Sequence, residues 1–273
     1  MVLQIAAAVY AVSTVIYVVY LVTHGKRLAA AGSYALLTAL AVHTTAILAR
    51  WIAGERFPLT NLHESLSFFA WFSALSCAYL FLRYKMPVLG AFIAPFALFL
   101  TLAASTLPSD IAPLAPVLNT HWLKAHIAVA VIGNAFFGLA CLFGVMYLIQ
   151  DKYLKSRKIG GMYFVLPSLE TLDELNYRCL TYGFPLLTLG IVSGALWSEH
   201  VYGSYWIWKH RQVWSLITWL MYAVLLHGRL TANWRGRKAA AFSVIAFCVL
   251  FATSLIIYTL LGEGHGLLKM GQP

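Results

Sequence analysis

The sequence predicts an all-α fold: a polytopic integral membrane protein with about eight transmembrane helices and both termini on the outer side. Hydrophobic residues make up 61% of the chain and charged residues 10%, and the mean hydropathy is +0.78, values outside the range of a soluble domain. Apolar stretches of about 18 to 25 residues, long enough to cross the roughly 30 Å of a bilayer core as helices, recur along the whole chain. Lipid offers no hydrogen-bond partner to exposed backbone groups, and no alternating ten-residue segments suggest a barrel, so we expect helices.

The apolar stretches also bound the domain organisation. The first lacks the short apolar core and small-residue cleavage site of a removable signal, so we expect it to be a retained helix. No repeat of fixed period and no low-complexity segment stands out, so residues 1–273 are predicted to form a single transmembrane domain. The predicted spans cover residues 2–22, 32–52, 64–82, 86–106, 122–149, 179–198, 213–230 and 239–261.

Lysine and arginine predict the orientation, because the cytoplasmic loops of membrane proteins carry an excess of these residues. With the N-terminus outside, the inner loops hold thirteen of them, and the outer loops and C-terminal tail hold six. This count places the tryptophan-rich loop at about 199–212 on the outer side and the polar connection at about 150–178 in the cytoplasm. The expected location is the inner (cytoplasmic) membrane of a bacterium.

The polar connection at 150–178 ends in "SLETLDELNYR", which has helical spacing and an acidic start. The pattern predicts a cytoplasmic surface helix, although a solvated linker that only sets the topology would look similar. On the outer side, residues 107–122 contain Pro108, Pro113 and Pro116 and are not expected to form one helix.

Cysteine usage excludes several functions. The four cysteines lie in four different spans with no C-x-x-C or C-x-x-C-H spacing, so the chain is neither a thiol oxidoreductase nor a covalent c-type cytochrome. We expect them to be small buried apolar residues. A phosphate-binding glycine loop, an H-E-x-x-H helix and a G-x-S-x-G motif are also absent from the sequence.

Three histidines occupy informative positions. His126 lies about one turn inside the outer end of the fifth span, and His265 lies just beyond the outer end of the eighth, so both belong at one level. His227 lies fourteen residues past the start of the seventh span, about 21 Å deeper at 1.5 Å per residue, in the inner leaflet. Ionisable side chains inside a span are candidates for function, although each of these could instead be a structural hydrogen-bonding group.

The stretch "VYGSYWIWKHRQVWSLITWL" (201–220) combines aromatic surface with positive charge on the outer side. An iron porphyrin needs axial imidazoles, a broad aromatic and apolar surface, and cations near its propionates. Together with the histidines, this stretch therefore indicates a site for haem b, held non-covalently; an interfacial aromatic belt is the alternative. The residues that supply the surface and the charge are Trp206, Trp208, Trp214, Lys209 and Arg211.

Four segments in this order resemble the cytochrome c assembly protein family, in its CcsA/ResC and HemX-like branch. They are "FPLTNLHESLSFFAW" (57–71), "HWLKAHIAVAVIGNAFFGLACLFGVMYLI" (121–149), "YGSYWIWKHRQVWSLITWLMYAVLLHGRL" (202–230) and the terminal "GEGHG". The resemblance implies that His126 and His265 flank an outer haem and that His227 ligates an inner haem. The second inner ligand would come from a partner subunit, with His43 in the second span as an internal candidate.

The chain departs from the family pattern in the tryptophan-rich loop. The family loop reads Trp-Gly-x-x-Trp-x-Trp-Asp-x-x-Glu, whereas this chain has Tyr202 for the first Trp, Lys209 for the Asp and Gln212 for the Glu. Two carboxylates are therefore missing. Such departures are more frequent in HemX-like members, which are connected with control of haem synthesis.

The resemblance implies a membrane protein that handles haem on the outer face for c-type cytochrome maturation, with a CcsB/ResB-like subunit and apocytochrome c as partners. On its own the chain is not expected to catalyse a reaction, although it could be the haem-handling subunit of a cytochrome c synthetase. The alternative is a HemX-like regulator that acts on glutamyl-tRNA reductase through the cytoplasmic loop. A secondary transporter is a weaker third reading, because no internal repeats or charged mid-membrane helices are found.

Overall fold

The computed structural model describes residues 1–111, 120–156 and 162–261, and it is helical, with no strand among those residues. Nine α-helices occur in these ranges, and a short 3-10 helix, Pro87–Leu89, leads into the fourth. They are α1 (Val2–Thr23), α2 (Lys26–Gly54), α3 (Leu62–Tyr84), α4 (Gly90–Ser105), α5 (His121–Lys155), α6 (Met162–Val165), α7 (Leu169–Tyr202), α8 (His210–Thr231) and α9 (Arg237–Leu261).

Eight of the described helices are long and apolar enough to cross a membrane, and they match the eight predicted spans in order. The all-α, multi-pass fold class is therefore confirmed. The structure does not test the orientation of the termini, which stays a prediction.

The segment "SLETLDELNYR" is helical, but it is not a separate surface helix as predicted. It forms the first turns of α7, which runs without a break into the sixth span and ends at Tyr202. Ser168 starts the helix by accepting a hydrogen bond from the Thr171 amide at 3.2 Å, and neither glycine nor proline follows before Gly183. The loop between α7 and α8 is shorter than the predicted 199–212. Only residues 203–209 separate the two helices.

The chain clusters into two compact units. Unit 1 comprises residues 1–58, 63–109 and 145–172, and unit 2 comprises residues 59–62, 110–144 and 173–273. The single domain expected from the sequence stays a prediction.

In unit 1, α1 packs closely against α2 and α4 because small residues face a large aromatic side chain. The ring of Tyr17 lies over Gly32 and Gly90, and a Cβ at either glycine would press against that ring. The Tyr17 hydroxyl is also hydrogen-bonded to Ser33 Oγ at 2.9 Å. This combination of small residues and interhelical hydrogen bonds is typical of helix packing in lipid, where hydrophobicity alone drives no association.

In unit 2, one buried asparagine links three helices. Asn176 Nδ2 on α7 donates to the Ala140 carbonyl of α5 at 2.7 Å and to Ser243 Oγ of α9 at 3.0 Å. Phe137 of α5 and Tyr222 of α8 stack with their ring centroids 3.6 Å apart. These contacts fix the helices that carry the predicted site residues.

The prediction that all four cysteines are buried is confirmed for three of them. Cys77, Cys141 and Cys179 are buried, whereas Cys248 is exposed on α9. None of the four forms a disulfide.

Candidate functional site

The tryptophan-rich loop, residues 203–209, is held by hydrogen bonds from the C-terminal end of α7 and from Ser204 within the loop. Gly203 has φ 68°, a conformation that favours glycine, and its amide closes α7 by donating to the Glu199 carbonyl at 2.8 Å. Ser198 Oγ donates to the Ser204 carbonyl at 2.8 Å, and Ser204 Oγ donates to the Trp206 carbonyl at 3.0 Å. The loop backbone is thus fixed from α7 to Trp206.

Two of the predicted platform residues lie edge to face in this loop. The ring centroids of Trp206 and Trp208 are 5.9 Å apart, with an angle of 78° between the planes. Trp208 is 72% exposed and has φ 52°, an uncommon and strained conformation for a bulky residue. The indole Nε1–H of Trp206 is buried, and the described part of the chain offers it no acceptor. An orphaned buried donor of this kind calls for a partner beyond the described residues, such as a bound ligand or water.

The two residues that replace family carboxylates have different local roles. Gln212 Oε1 accepts a hydrogen bond from the Ile207 amide at 2.9 Å, which a glutamate oxygen would also do. Lys209 occupies the N-cap position of α8 without making a side-chain cap, and its Nζ lies 4.8 Å from the ring centroid of Tyr202. Arg211 and Trp214 follow in the first turns of α8, where both are half-buried.

His126 lies on α5 against α7. Its Nδ1 is 3.0 Å from Ser193 Oγ, and one turn earlier Trp122 Nε1 donates to the Ser193 carbonyl at 3.0 Å. Gly194 leaves space for the imidazole, since a Cβ there would come within 2.8 Å of His126 Cε1. Arg211 is near enough for its charge to act on the ring. The helices α5 and α7 therefore hold the His126 ring, and Arg211 of α8 is within electrostatic range of it.

The other predicted ligands are placed differently. His227 is exposed on α8, and its neighbour Gly228 is covered by the indole of Trp234. His265 lies outside the described residues. His43 is fully buried in unit 1, with Nδ1 3.3 Å from the Tyr10 hydroxyl and Nε2 2.9 Å from Ser67 Oγ. Since both of its ring nitrogens are hydrogen-bonded, this geometry does not favour His43 as a ligand.

The comparisons with known proteins identify the family. The model of the family described as "Cytochrome C assembly protein" matches residues 59–262, about three quarters of the chain. The chain belongs to the cytochrome c assembly protein family. The matched region of the family model includes His126, the tryptophan-rich loop and His227, and it ends three residues before His265.

Among the relatives within this family is the "Cytochrome c biogenesis protein CcsA" of Guillardia theta, which is 36% identical over 83% of this chain and 82% of its own length. The protein of the same name from Synechococcus sp. (strain CC9605) is 35% identical over 86% of both chains. That of Chlamydomonas reinhardtii is 38% identical over 80% of this chain and 62% of its own length.

The fold also matches a solved structure, "Cytochrome c Heme Lyase CcmF", with a TM-score of 0.71 at 16% sequence identity. The match covers 93% of this chain but only 45% of that one, so this chain spans less than half the length of that structure. At this identity the similarity concerns the fold alone.

The site of this family member fits a porphyrin better than a bare metal ion. Among the described residues, no group of three or more His, Cys, Asp and Glu could hold an ion. Unit 2 instead presents one oriented imidazole, an aromatic loop with an orphaned indole N–H, and a nearby guanidinium. An axial ligand, an aromatic surface and donors for carboxylates are what haem requires.

Two ion pairs, each with one buried member, were not predicted from the sequence. In unit 2, Arg229 of α8 donates to both carboxylate oxygens of Asp173 on α7, at 3.0 and 2.8 Å. In unit 1, Arg50 Nε of α2 donates to Glu64 Oε1 of α3 at 2.7 Å. The positive-residue count treated both arginines as loop charges, and no local signal in the sequence pairs them with carboxylates 56 and 14 residues away.

A further histidine also went unnoticed. His63 is buried at the start of α3, and its Nδ1 donates to the Ala104 carbonyl of α4 at 2.8 Å. Its place in the sequence, one residue before the predicted span 64–82, could have marked it as a candidate.

Proposed function

We propose that this protein binds haem b non-covalently at the predicted outer face and presents it for c-type cytochrome maturation. The proposed partners are a CcsB/ResB-like membrane subunit and apocytochrome c. Family membership and the CcsA relatives support this role over that of a regulator of glutamyl-tRNA reductase. The proposed location is the cytoplasmic membrane of a bacterium.

The observation that carries the proposal is the orientation of His126. Contacts with α7 hold its Nδ1, which leaves Nε2 as the ring nitrogen for an axial bond. His265 is the proposed second axial ligand, so the two histidines would share the iron. Bound haem would offer two axial coordination positions on its iron, one for each of these histidines.

The remaining side chains bind and orient the macrocycle. Trp206, Trp208 and Trp214 provide apolar surface that excludes water, and the Nε1–H of Trp206 is a donor without a partner in the described chain. Arg211 supplies positive charge for a propionate. Lys209 adds positive potential at the edge of the loop, where its ammonium group lies over Tyr202.

His227 is proposed as one ligand of an inner haem. It lies exposed on α8, immediately before Gly228, which the indole of Trp234 covers. A partner subunit would supply the second inner ligand. His43 remains the internal candidate only if its hydrogen bonds to Tyr10 and Ser67 open.

Haem titration of the purified protein tests the proposal. We expect a Soret band of bis-histidine type in the wild type, weakened in both His126→Ala and His265→Ala. The double variant should lose no more than either single variant, because both changes break one site. The matched control is His24→Asn, which removes an exposed imidazole while keeping a residue type that tolerates its φ of 58°. A wild type that stays colourless with haem supplied would refute the proposal.

The proposed orientation is tested separately. Reporter fusions at Lys158 and at Pro273 should report opposite sides of the membrane, the first in the cytoplasm and the second outside. The same side for both would overturn the orientation without touching the haem proposal.

A further inference from the structure

Two residues of α7, Ser193 and Gly194, lie against the His126 ring. Ser193 Oγ lies 3.0 Å from Nδ1, and it also donates to the Gly190 carbonyl at 3.1 Å. Gly194 lies against Cε1, where a Cβ would come within 2.8 Å. Trp122, one turn before His126 on the same face of α5, fastens this contact by donating to the Ser193 carbonyl.

The hydrogen bonds of Ser193 indicate which ring nitrogen carries the proton. Ser193 Oγ donates its own proton to the Gly190 carbonyl at 3.1 Å, which leaves its lone pairs for the imidazole Nδ1 at 3.0 Å. Ser193 therefore favours the neutral tautomer with Nδ1–H, in which Nε2 holds the lone pair.

We propose that Ser193 is a positioning residue: its hydroxyl, which donates to the Gly190 carbonyl, holds His126 in the Nδ1–H tautomer with Nε2 ready to bind iron. This inference rests on the proposed haem-binding function. Gly194 is part of the same device, because any side chain at that position would push the ring away from α7. Hydrogen bonds to the second nitrogen of a ligating histidine fix its orientation and raise its basicity.

The test compares Ser193→Thr with Ser193→Val, two β-branched side chains of similar shape that differ in the hydroxyl group. Loss of such a partner typically weakens binding about 10- to 100-fold, and we expect at least about 10-fold weaker haem binding in Ser193→Val. Ser193→Thr should bind as the wild type does. In Ser193→Val the haem midpoint potential should also shift upward, because a less basic imidazole stabilises ferric iron less.

Two further variants distinguish a change in the position of the His126 ring from a general loss of folding. Thr181→Val removes a hydroxyl that bonds only to its own helix at the Tyr177 carbonyl, and haem affinity should stay unchanged. Gly194→Ala should weaken haem binding while stabilising α7, since alanine is favoured over glycine inside a helix by up to about 1 kcal/mol. Equal haem affinity and potential in Ser193→Thr and Ser193→Val would overturn the inference.

The tautomer is measured without haem, which keeps this inference distinguishable from the proposed function. In protein with ¹⁵N-labelled histidine, the His126 resonances, assigned with His126→Ala, should show a protonated Nδ1 in the wild type and in Ser193→Thr. Ser193→Val should show a mixture of tautomers. An Nε2–H tautomer in the wild type would overturn the inference even if haem binds. Failure of haem to bind would refute the proposed function, and the resonances would then still decide whether Ser193 sets the tautomer.

Discussion

Replacing Asp173 by alanine would remove the carboxylate that holds the start of α7 and the end of α8 together in unit 2. The guanidinium of Arg229 donates to both oxygens of this carboxylate, and Oδ1 also accepts the Gly236 amide at 3.0 Å from the turn before α9. The Arg229 side chain is only 5% exposed and lies over the ring of Tyr177. Without Asp173, a buried charge and a backbone donor both lose their partner.

The expected loss is about 3 kcal/mol of unfolding free energy. Removing one member of a buried ion pair costs about 3–5 kcal/mol, because the remaining charge stays away from water. The lower end applies here, since the Asp173 side chain is 21% exposed and water can reach part of the vacated site. Replacing both residues, as Asp173→Leu with Arg229→Met, should recover most of the loss, because no unpaired charge remains.

Thermal unfolding of the detergent-purified variants, followed by tryptophan fluorescence, measures the effect. The matched control is Glu174→Ala in the neighbouring pair with Arg178, whose side chains are both 53% exposed. An exposed pair at i and i+4 is worth about 0.3–0.5 kcal/mol, so this control should change little. If Asp173→Ala were no more damaging than Glu174→Ala, the reasoning about a buried charge would be refuted.

Three shorter predictions concern the loop and the inner face. Lys209→Asp should stabilise the protein by about 1 kcal/mol, because aspartate caps a helix N-terminus and suits its dipole, and an unchanged or lower melting temperature would contradict this. Trp208→Gly should raise the melting temperature by relieving a strain of about 1 kcal/mol but weaken haem binding, whereas Trp208→Phe should keep the strain and most of the binding. Glu170→Gln with Glu174→Gln removes exposed inner charges and should alter neither holo-cytochrome c yield nor glutamyl-tRNA reductase abundance; a change in the reductase alone would favour the regulator.

Deletion of the acidic residues 168–176, on the predicted cytoplasmic side, would not be a clean test of a regulatory role. In the sequence, residues 168–176 look like a solvated connection that could be trimmed without consequence. In the structure, Asp173 holds Arg229, and Asn176 links α5 to α9, so trimming would damage the fold whatever the function. Only the exposed carboxylates of this segment report on a cytosolic partner.

The membrane spans were predictable because each depends on a local quantity, the length of an apolar run. The ends of the helices were less predictable. Hydropathy falls before Arg178 even though the backbone is helical from Leu169, so α7 begins ten residues before the predicted sixth span. Ion pairs such as Arg50 with Glu64 depend on which helices meet, which no window along the sequence contains.

In the tryptophan-rich loop too, the residue types alone did not show which contacts the side chains make. The family pattern has a carboxylate at the positions of Lys209 and Gln212, and the sequence alone treats both changes as losses. The structure separates them: Gln212 still accepts the Ile207 amide, whereas Lys209 leaves the start of α8 uncapped. One replacement therefore conserves the loop, and the other exchanges a helix cap for a cation over Tyr202.

The histidines show the clearest difference between position in the sequence and contacts in the structure. His43 and His126 both lie in predicted spans. His43 has its two ring nitrogens bound by Tyr10 and Ser67, side chains from two other helices. Among the described contacts, His126 is hydrogen-bonded through Nδ1 alone, to Ser193 of α7. A histidine held on one nitrogen keeps the other for a ligand, so the pattern of its hydrogen bonds, and not its position in the membrane, makes His126 the better candidate for an axial ligand.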